Sequence, residues 1–323
     1  MCGIFLVKSE KTLNKSNCES SSNLIKSRGP DYFLKKFFNK EKMYIANSVL
    51  SISGNFKNKS KELNCNKQKS LFISYNGEIF NWKEICIKEN LKVKNDTQLI
   101  LKLIEKYNKT KFVNNFFGMF AIVIFDKKKN KIHFYCDPQG EKKLFFYNKN
   151  GNFIISSSIK PITNYLSKND LNLDSIKDYF NTRHYIFYKK TFFKNIQITE
   201  PGKIYEFDLK NHKLKSKFFD NPINWINKKT YLDLNEKSEH EVKYQLYKIL
   251  NYNAKMMISK HKFGNIFSGG IDSSLQTSLI SKYKKPKVVS VLDFINKDEI
   301  TKNIQKFQKF VKFKINKIPI NKF

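Results

Sequence analysis

The sequence predicts two domains of different class: an α+β unit built on antiparallel strands over residues 1–210, and an α/β unit with a short parallel sheet over 235–323. Three observations predict it. The 323 residues exceed one ordinary domain of about 100–200 residues. Strand-like runs joined by tight-turn signals fill the first two thirds, as hairpins require. After residue 235 the pattern becomes strand–helix–strand–helix–strand, which calls for parallel strands with right-handed crossovers. Residues 211–234, polar and irregular, read as the linker.

The elements follow in order. Residues 1–7 form an apolar strand that starts at the terminus. Leu71 to Tyr75 is a strand, with Asn76-Gly77 as a turn directly after it. Asp96 stands at an N-cap position, and Leu99, Ile100, Leu103, Ile104 and Tyr107 follow at helical spacing. Met119–Phe125 pairs with Ile132–Cys136 across a Lys/Asn turn, and Leu144–Tyr147 with Phe153–Ser156 across Asn150-Gly151. Leu173, Ile176 and Phe180 mark a short helix, and Pro201-Gly202 a turn. In the second unit, Val242, Leu246, Ile249 and Leu250 share a helical face. Phe263–Phe267 is a strand, 272–284 a helix and Val288–Leu292 a strand. Ile300, Ile304 and Phe307 mark a helix, and Val311, Phe313 and Ile315 alternate as a third strand.

Composition narrows the function. Hydrophobic residues at 40% and aromatics at 15% support packed cores and exclude wholesale disorder. The longest apolar run, Phe116 to Phe125, has ten residues, against about 20 for a membrane-spanning helix. The opening MCGIFLV lacks the basic region of a secretory signal. Five scattered cysteines without CxxC spacing predict neither a zinc site nor a disulfide framework, and point to a reducing, cytoplasmic compartment. The net charge is +33, yet of 61 basic residues only Arg28 and Arg183 are arginines, leaving 59 lysines spread along the chain. Arginine is the residue of bidentate phosphate and guanine readout. The charge therefore reads as a solvated basic surface rather than a specific nucleic-acid site. The five histidines, His133, His184, His212, His240 and His261, show no close pairing and receive no catalytic or metal role.

Six residues or short segments are candidates for chemistry. Cys2 is either a small buried hydrophobe or a nucleophile. Removal of Met1 would leave it with a free α-amine of pKa about 7.7–8, able to take a thiol proton at neutral pH. Arg28-Gly29-Pro30-Asp31 is a rigid turn with a charge pair. Tyr75-Asn76-Gly77-Glu78 offers a side-chain amide and a glycine N–H, donors of the kind an oxyanion hole needs, or else a plain turn. Asp96 either meets a substrate ammonium or caps its helix. Ser268-Gly269-Gly270-Ile271-Asp272-Ser273-Ser274 lies between a strand and a helix, where backbone N–H groups and the helix dipole favour an anion. No Gly-Lys-Ser/Thr follows, so it is not a Walker loop; an ordinary strand-to-helix connection is the other reading. Asp298-Glu299 either marks a functional acidic pair or caps a helix.

Taken in order, MCGIF at 1–5, RGPD at 28–31, LSI at 50–52, YNGEIFN at 75–81, NDT at 95–97, FGMFAIVIFD at 117–126, DPQGEKKLFFY at 137–147 and EPG at 200–202 resemble the glutaminase domain of class II glutamine amidotransferases, most closely that of asparagine synthetases. The resemblance implies an N-terminal-nucleophile fold of two antiparallel sheets between helical layers (αββα). It implies that Cys2 attacks the glutamine amide, that Asn76 and Gly77 stabilise the oxyanion, and that Arg28, Asn76, Glu78 and Asp96 help hold glutamine. Three positions depart from the family pattern: Ser27 replaces a histidine, Val49 an arginine that holds the glutamine carboxylate, and Cys136 an arginine. The SGGIDS segment resembles the pyrophosphate loop of ATP pyrophosphatases. It implies ATP contacts at Ser268, Gly269, Gly270, Asp272 and Ser273, with adenine near Phe267. ATP with Mg2+ would enter as a substrate, aspartate would be activated as an acyl-adenylate, and no tightly bound cofactor is implied. The family's synthetase domain continues well past a third strand, so the resemblance also implies an incomplete domain, either a truncated product or one half of a split enzyme that a second chain would complete. Two other readings stay open: a stand-alone glutaminase or ammonia-supplying subunit, and a non-catalytic homologue or basic binding module.

Overall fold

The structure is a computed structural model that describes residues 1–52, 62–107, 111–167, 170–182, 189–258, 262–292, 297–311 and 314–319. Arg183, His184, His261 and Phe313 lie outside the described residues. The chain divides into two compact units, Met1–Ile226 and Asn227–Phe323.

The first unit runs β1 (Gly3–Ser9), α1 (Lys15–Asn23), β2 (Tyr32–Phe38), β3 (Met43–Val49), β4 (Leu71–Ile79), α2 (Trp82–Glu89), α3 (Asp96–Tyr107), β5 (Gly118–Asp126), β6 (Lys131–Cys136), β7 (Phe145–Lys149), β8 (Asn152–Ser156), α4 (Ile159–Leu166), α5 (Leu173–Asn181), β9 (Ile196–Ile198), β10 (Lys203–Asp208) and β11 (Leu214–Phe218). Its strands form two sheets, β2-β3-β1-β8-β7-β9 and β11-β10-β6-β5-β4. Every pairing in them is antiparallel.

Side-chain alternation along the strands builds the layers. Ile4 and Leu6 of β1 join Phe72, Val123, Phe125 and Phe134 of the other sheet in a core between the sheets. Phe5 and Val7 point the opposite way, into a cluster with Cys18 of α1 and Ile162 of α4. On the far side, Ile73, Ile122 and Ile124 pack with Leu99, Ile100 and Leu103 of α3. The order is helix, sheet, sheet, helix. Antiparallel sheets commonly leave one face wet and so read as alternating sequence. Here helices cover both outer faces, which is why β1 is buried along its whole length and β5 reads as an unbroken apolar run.

Both expected hairpins form, β5 with β6 and β7 with β8. Asn150 and Gly151 join the second with φ of 53° and 69°, both positive, as a type I′ turn requires. Two expectations about this unit are corrected. Asn76-Gly77 is not a turn: β4 continues to Ile79, with Asn76 opposite Ala121 and Gly77 opposite Phe120. Ladder pairing with β5 overrides the local turn signal. The stretch 210–235 is not irregular either, because β11 extends the second sheet through β10 and α6 (Lys228–Asn235) follows.

The second unit continues with α7 (Glu239–Met257), β12 (Gly264–Ile266), α8 (Ile271–Ser281), β13 (Lys287–Leu292), α9 (Lys297–Gln308) and β14 (Ile315–Pro319). Ser238 and Glu241 start α7 with a reciprocal capping box. The three strands form the expected parallel sheet, β12-β13-β14. Its last strand begins at Ile315, not Val311, because Ile315 is the residue that pairs with Val288. Phe267, Val288, Ile304 and Ile315 make the core, with Ile300 and Phe307 against it. Leu246 and Ile249, on the apolar face of α7, are exposed. Among the described residues no helix is long and apolar enough to cross a membrane.

Candidate active site

Cys2 lies just ahead of β1, and its thiol faces the chain that leaves β3. Its Sγ accepts the Leu50 N–H at 3.3 Å. The RGPD turn builds this wall. The Asp31 carboxylate accepts the Ser51 N–H at 2.8 Å, and the Asp31 N–H donates to the Val49 carbonyl at 3.1 Å. Arg28 Nε donates to the Cys2 carbonyl at 3.2 Å. Arg28 is not among the residues that line the adjoining cleft, so its place differs from the expected glutamine contact: it holds the backbone of Cys2.

That cleft, about 690 Å³ with its open mouth included, brings together Cys2, Asn76, Gly77, Glu78 and Asp96. Strand alternation places Asn76 and Glu78 on one face of β4 and Tyr75 on the other. Asn76 is buried, and its side-chain amide has no hydrogen bond among the described residues. Asn47 ties the two sheets together beside it. Its Nδ2 donates to the Gly3 carbonyl at 2.8 Å and to the Tyr75 carbonyl at 3.4 Å, and its Oδ1 accepts the Tyr75 N–H at 3.2 Å. Sequence reading missed Asn47. The available signal was a lone amide inside the apolar run of β3.

Gly77 contributes through its backbone. Phe120 directs its N–H and C=O to Asp137, at 3.2 and 2.8 Å. Gly77, its antiparallel partner, therefore turns its own N–H to the free edge of β4. Along that edge the N–H of Ile73 bonds the Asn64 carbonyl, that of Tyr75 bonds Asn47, and that of Ile79 bonds Asp96. The Gly77 N–H has no partner among the described residues, and it opens on the cleft. A Cβ at Gly77 would lie 2.2 Å from the Met119 carbonyl oxygen and 2.6 Å from Phe120 Cα, both backbone. Gly77→Ala is expected to cost about 1–3 kcal/mol and lower the melting temperature by several degrees. An unchanged thermal melt would contradict the close approach of β4 and β5.

Asp96 does not cap its helix. Asn95 does, its Oδ1 accepting the Gln98 N–H at 2.9 Å. This frees the Asp96 carboxylate for β4, where it accepts the Tyr75 hydroxyl at 2.8 Å and the Ile79 N–H at 3.3 Å. Burial raises the Asp96 carboxyl above its ordinary range, against the lowering effect of these bonds. Burial, then the charge of Asp96, raises Glu78 likewise. Two acids held this way favour a cation between them. The Cys2 thiol is also raised, chiefly by burial, against the lowering effects of Leu50, the terminal amine and Arg28. It therefore needs a base to become a nucleophile.

Asp137 anchors the opposite wall. Besides Phe120, its carboxylate accepts the N–H groups of Gln139, Glu141 and Lys142 at 2.9–3.1 Å, which fixes the turn that brings Lys142 to the cleft. Cys136, at one of the departing positions, is buried with its thiol pushed up to about 12 by desolvation.

In the second unit, the 268–274 segment joins β12 to the N-terminus of α8. Ser268 and Ser273 hydroxyls bond each other at 3.0 Å, and Ser274 Oγ donates to the Gly270 carbonyl at 2.8 Å. Gly269 has φ +84°, open to glycine with little strain. Asp272 lies exposed in the first turn of α8, and Asp298 and Glu299 in that of α9. The Phe267 ring is fully buried, 4.8 Å from that of Phe307, so its backbone at the strand end is the part left to meet a nucleotide. His133 and His212 pair with Glu206 and Glu10, at 3.8 and 2.6 Å. Among the described residues no cluster of three His, Cys, Asp or Glu could hold a metal ion.

Comparison with known proteins agrees with the motif order. The glutamine amidotransferase domain family matches residues 1–219. A Methanocaldococcus jannaschii protein assigned as an asparagine synthetase (glutamine-hydrolyzing) is 28% identical over 315 residues, covering 88% of this chain and 57% of the relative. Asparagine synthetase (glutamine-hydrolyzing) 2 of Bacillus subtilis is 35% identical over 100 residues, 30% of this chain and 13% of its own length. The solved allosteric regulatory enzyme of purine biosynthesis aligns with 68% of this chain and 49% of its own, at 13% identity and a TM-score of 0.49. The chain spans a little over half the length of the first of these relatives. With the family match covering the whole sandwich and its cleft, the chain belongs to the glutamine amidotransferases, as a class II member of the asparagine synthetase kind.

Proposed function

We propose that Cys2, freed of Met1, hydrolyses the side-chain amide of glutamine. The observation that carries this reading is the convergence on one cleft of a thiol, two unpaired hydrogen-bond donors and two raised acids. The α-amine of Cys2 takes the thiol proton, and the thiolate attacks the amide carbon. The Asn76 amide and the Gly77 N–H receive the oxyanion. The amine returns its proton to the leaving nitrogen, which departs as ammonia, and water cleaves the thioester to give glutamate. Glu78 and Asp96 receive the ammonium of the substrate. Arg28 and the Leu50 N–H keep Cys2 in place.

The finer reading is that this ammonia amidates aspartate. The 268–274 loop supports it, because it sets two glycines, Ser268, Asp272 and Ser273 at a helix N-terminus. There the pyrophosphate of ATP, brought in with Mg2+, would be bound while aspartate is activated as an acyl-adenylate. A paired assay tests both halves: glutamate release from glutamine, and pyrophosphate release dependent on aspartate and ATP. Asp272→Ala is expected to abolish the second and leave the first within about twofold. Loss of both in a folded Asp272→Ala protein, or of neither, would refute the division of labour.

A further inference from the structure

We propose that Lys142 holds the α-carboxylate of the glutamine substrate, an inference that rests on the glutaminase reading. An amino acid that reacts through its side chain brings an ammonium and a carboxylate into the cleft together. Apart from the terminal amine and the thiol, the charged groups lining the cleft among the described residues are Glu78, Asp96 and Lys142. The two acids suit the ammonium and repel the carboxylate. Val49 lines the same cleft but offers no charge.

Three features fit Lys142 to the task. Its Nζ lies 3.5 Å from Met1 Sδ, so the ammonium reaches the residue bonded to Cys2. It forms no ion pair with an acid among the described residues, although a free carboxylate would attract it. Its backbone is clamped, because Asp137 accepts the Lys142 N–H at 3.0 Å together with those of its neighbours. Removal of Met1 takes away the thioether that Nζ touches and leaves the ammonium beside the substrate's end of the cleft. Together these groups select an amino-acid zwitterion: acids on β4 and α3 for the ammonium, and a lysine on the β6–β7 connection for the carboxylate.

The test uses the full chain with Met1 removed. Lys142→Met is expected to raise KM for glutamine about 10- to 100-fold, as loss of one charge-assisted hydrogen bond would, with kcat within about twofold. Lys142→Arg should recover most of the loss, and Lys143→Met, at the exposed neighbour, should change neither constant. Glutamine α-amide, which lacks the carboxylate charge, should be handled alike by the parent and Lys142→Met proteins. An unchanged KM for glutamine in Lys142→Met, or an equal loss on the α-amide, overturns the proposal while leaving the glutaminase reading intact. If the parent releases no glutamate, the glutaminase reading fails instead. Calorimetric binding of glutamine to the Cys2→Ser protein then still decides: weakening by Lys142→Met supports the contact, and unchanged affinity overturns it.

Discussion

Cys2→Ala is expected to reduce glutamate release from glutamine by at least about 10³-fold, because the substitution removes the only atom placed to form the covalent intermediate. Any synthesis driven by free ammonia should survive, since ammonia supplied directly makes the thiol unnecessary. Retaining Met1, by a penultimate change that blocks its removal or by an N-terminal extension, should be as damaging, because the α-amine is then tied up in a peptide. The thiol supplies a separate readout. Burial raises its pKa, so with Met1 in place alkylation by iodoacetamide should be slow at neutral pH and accelerate only above the ordinary thiol range. Removing Met1 should bring that reactivity down toward neutral pH. Full glutaminase turnover by Cys2→Ala would remove Cys2 from the mechanism, and rapid neutral alkylation of Cys2 in the unprocessed chain would remove the α-amine as its required base.

Asn76→Ala is the second large effect, an expected loss of about 10²–10³ in kcat with little change in KM. The physical basis is the state of the donor before substrate arrives. The Asn76 side chain lines the cleft and its amide is unpaired among the described residues, so no bond within the fold has to break before it donates. Charge developing on the substrate oxygen strengthens this bond in the transition state more than in the ground state. The alanine protein should therefore melt no lower than the parent, while turnover falls. Asn76→Asp should be at least as slow, because a carboxylate repels the oxyanion. A KM effect with unchanged kcat would make Asn76 a substrate-binding group, and the Gly77 N–H would then stand alone at the oxyanion.

These two predictions draw on different depths of reading. Position alone left Cys2 as either a buried hydrophobe or a nucleophile beside Met1, and the surrounding motifs favoured the second. Asn76 was legible as a residue type, but its sequence context, Asn-Gly after a strand, is the usual sign of a turn. The neighbouring Asp96 misled in the same way. An acid ahead of an apolar helix is a cap by local rules, and Asn95 took that role once α3 was laid against β4.

What the sequence by itself determined was the list of elements with strong period or strong turn chemistry. The Asn150-Gly151 hairpin, the helix that ends at Tyr107 and the strand–helix alternation after 235 were readable there, while Cys2, Asn76, Gly77, Glu78 and Asp96 were singled out through the order of their motifs and the family these resemble. Each of these elements depends on interactions within a few residues. The tertiary structure alone decided the rest. It carried β4 through Asn76-Gly77, because a nine-residue ladder with β5 outweighs one turn preference. It left the Gly77 N–H on an open edge, a fact set by which way Phe120 faces across the sheet. It joined the sheets through Asn47, moved Arg28 behind Cys2, buried the Phe267 ring in its core, and brought Lys142 to the cleft from the β6–β7 connection. These are contacts between residues dozens of positions apart, and their energy exists only once the sheets have closed on each other.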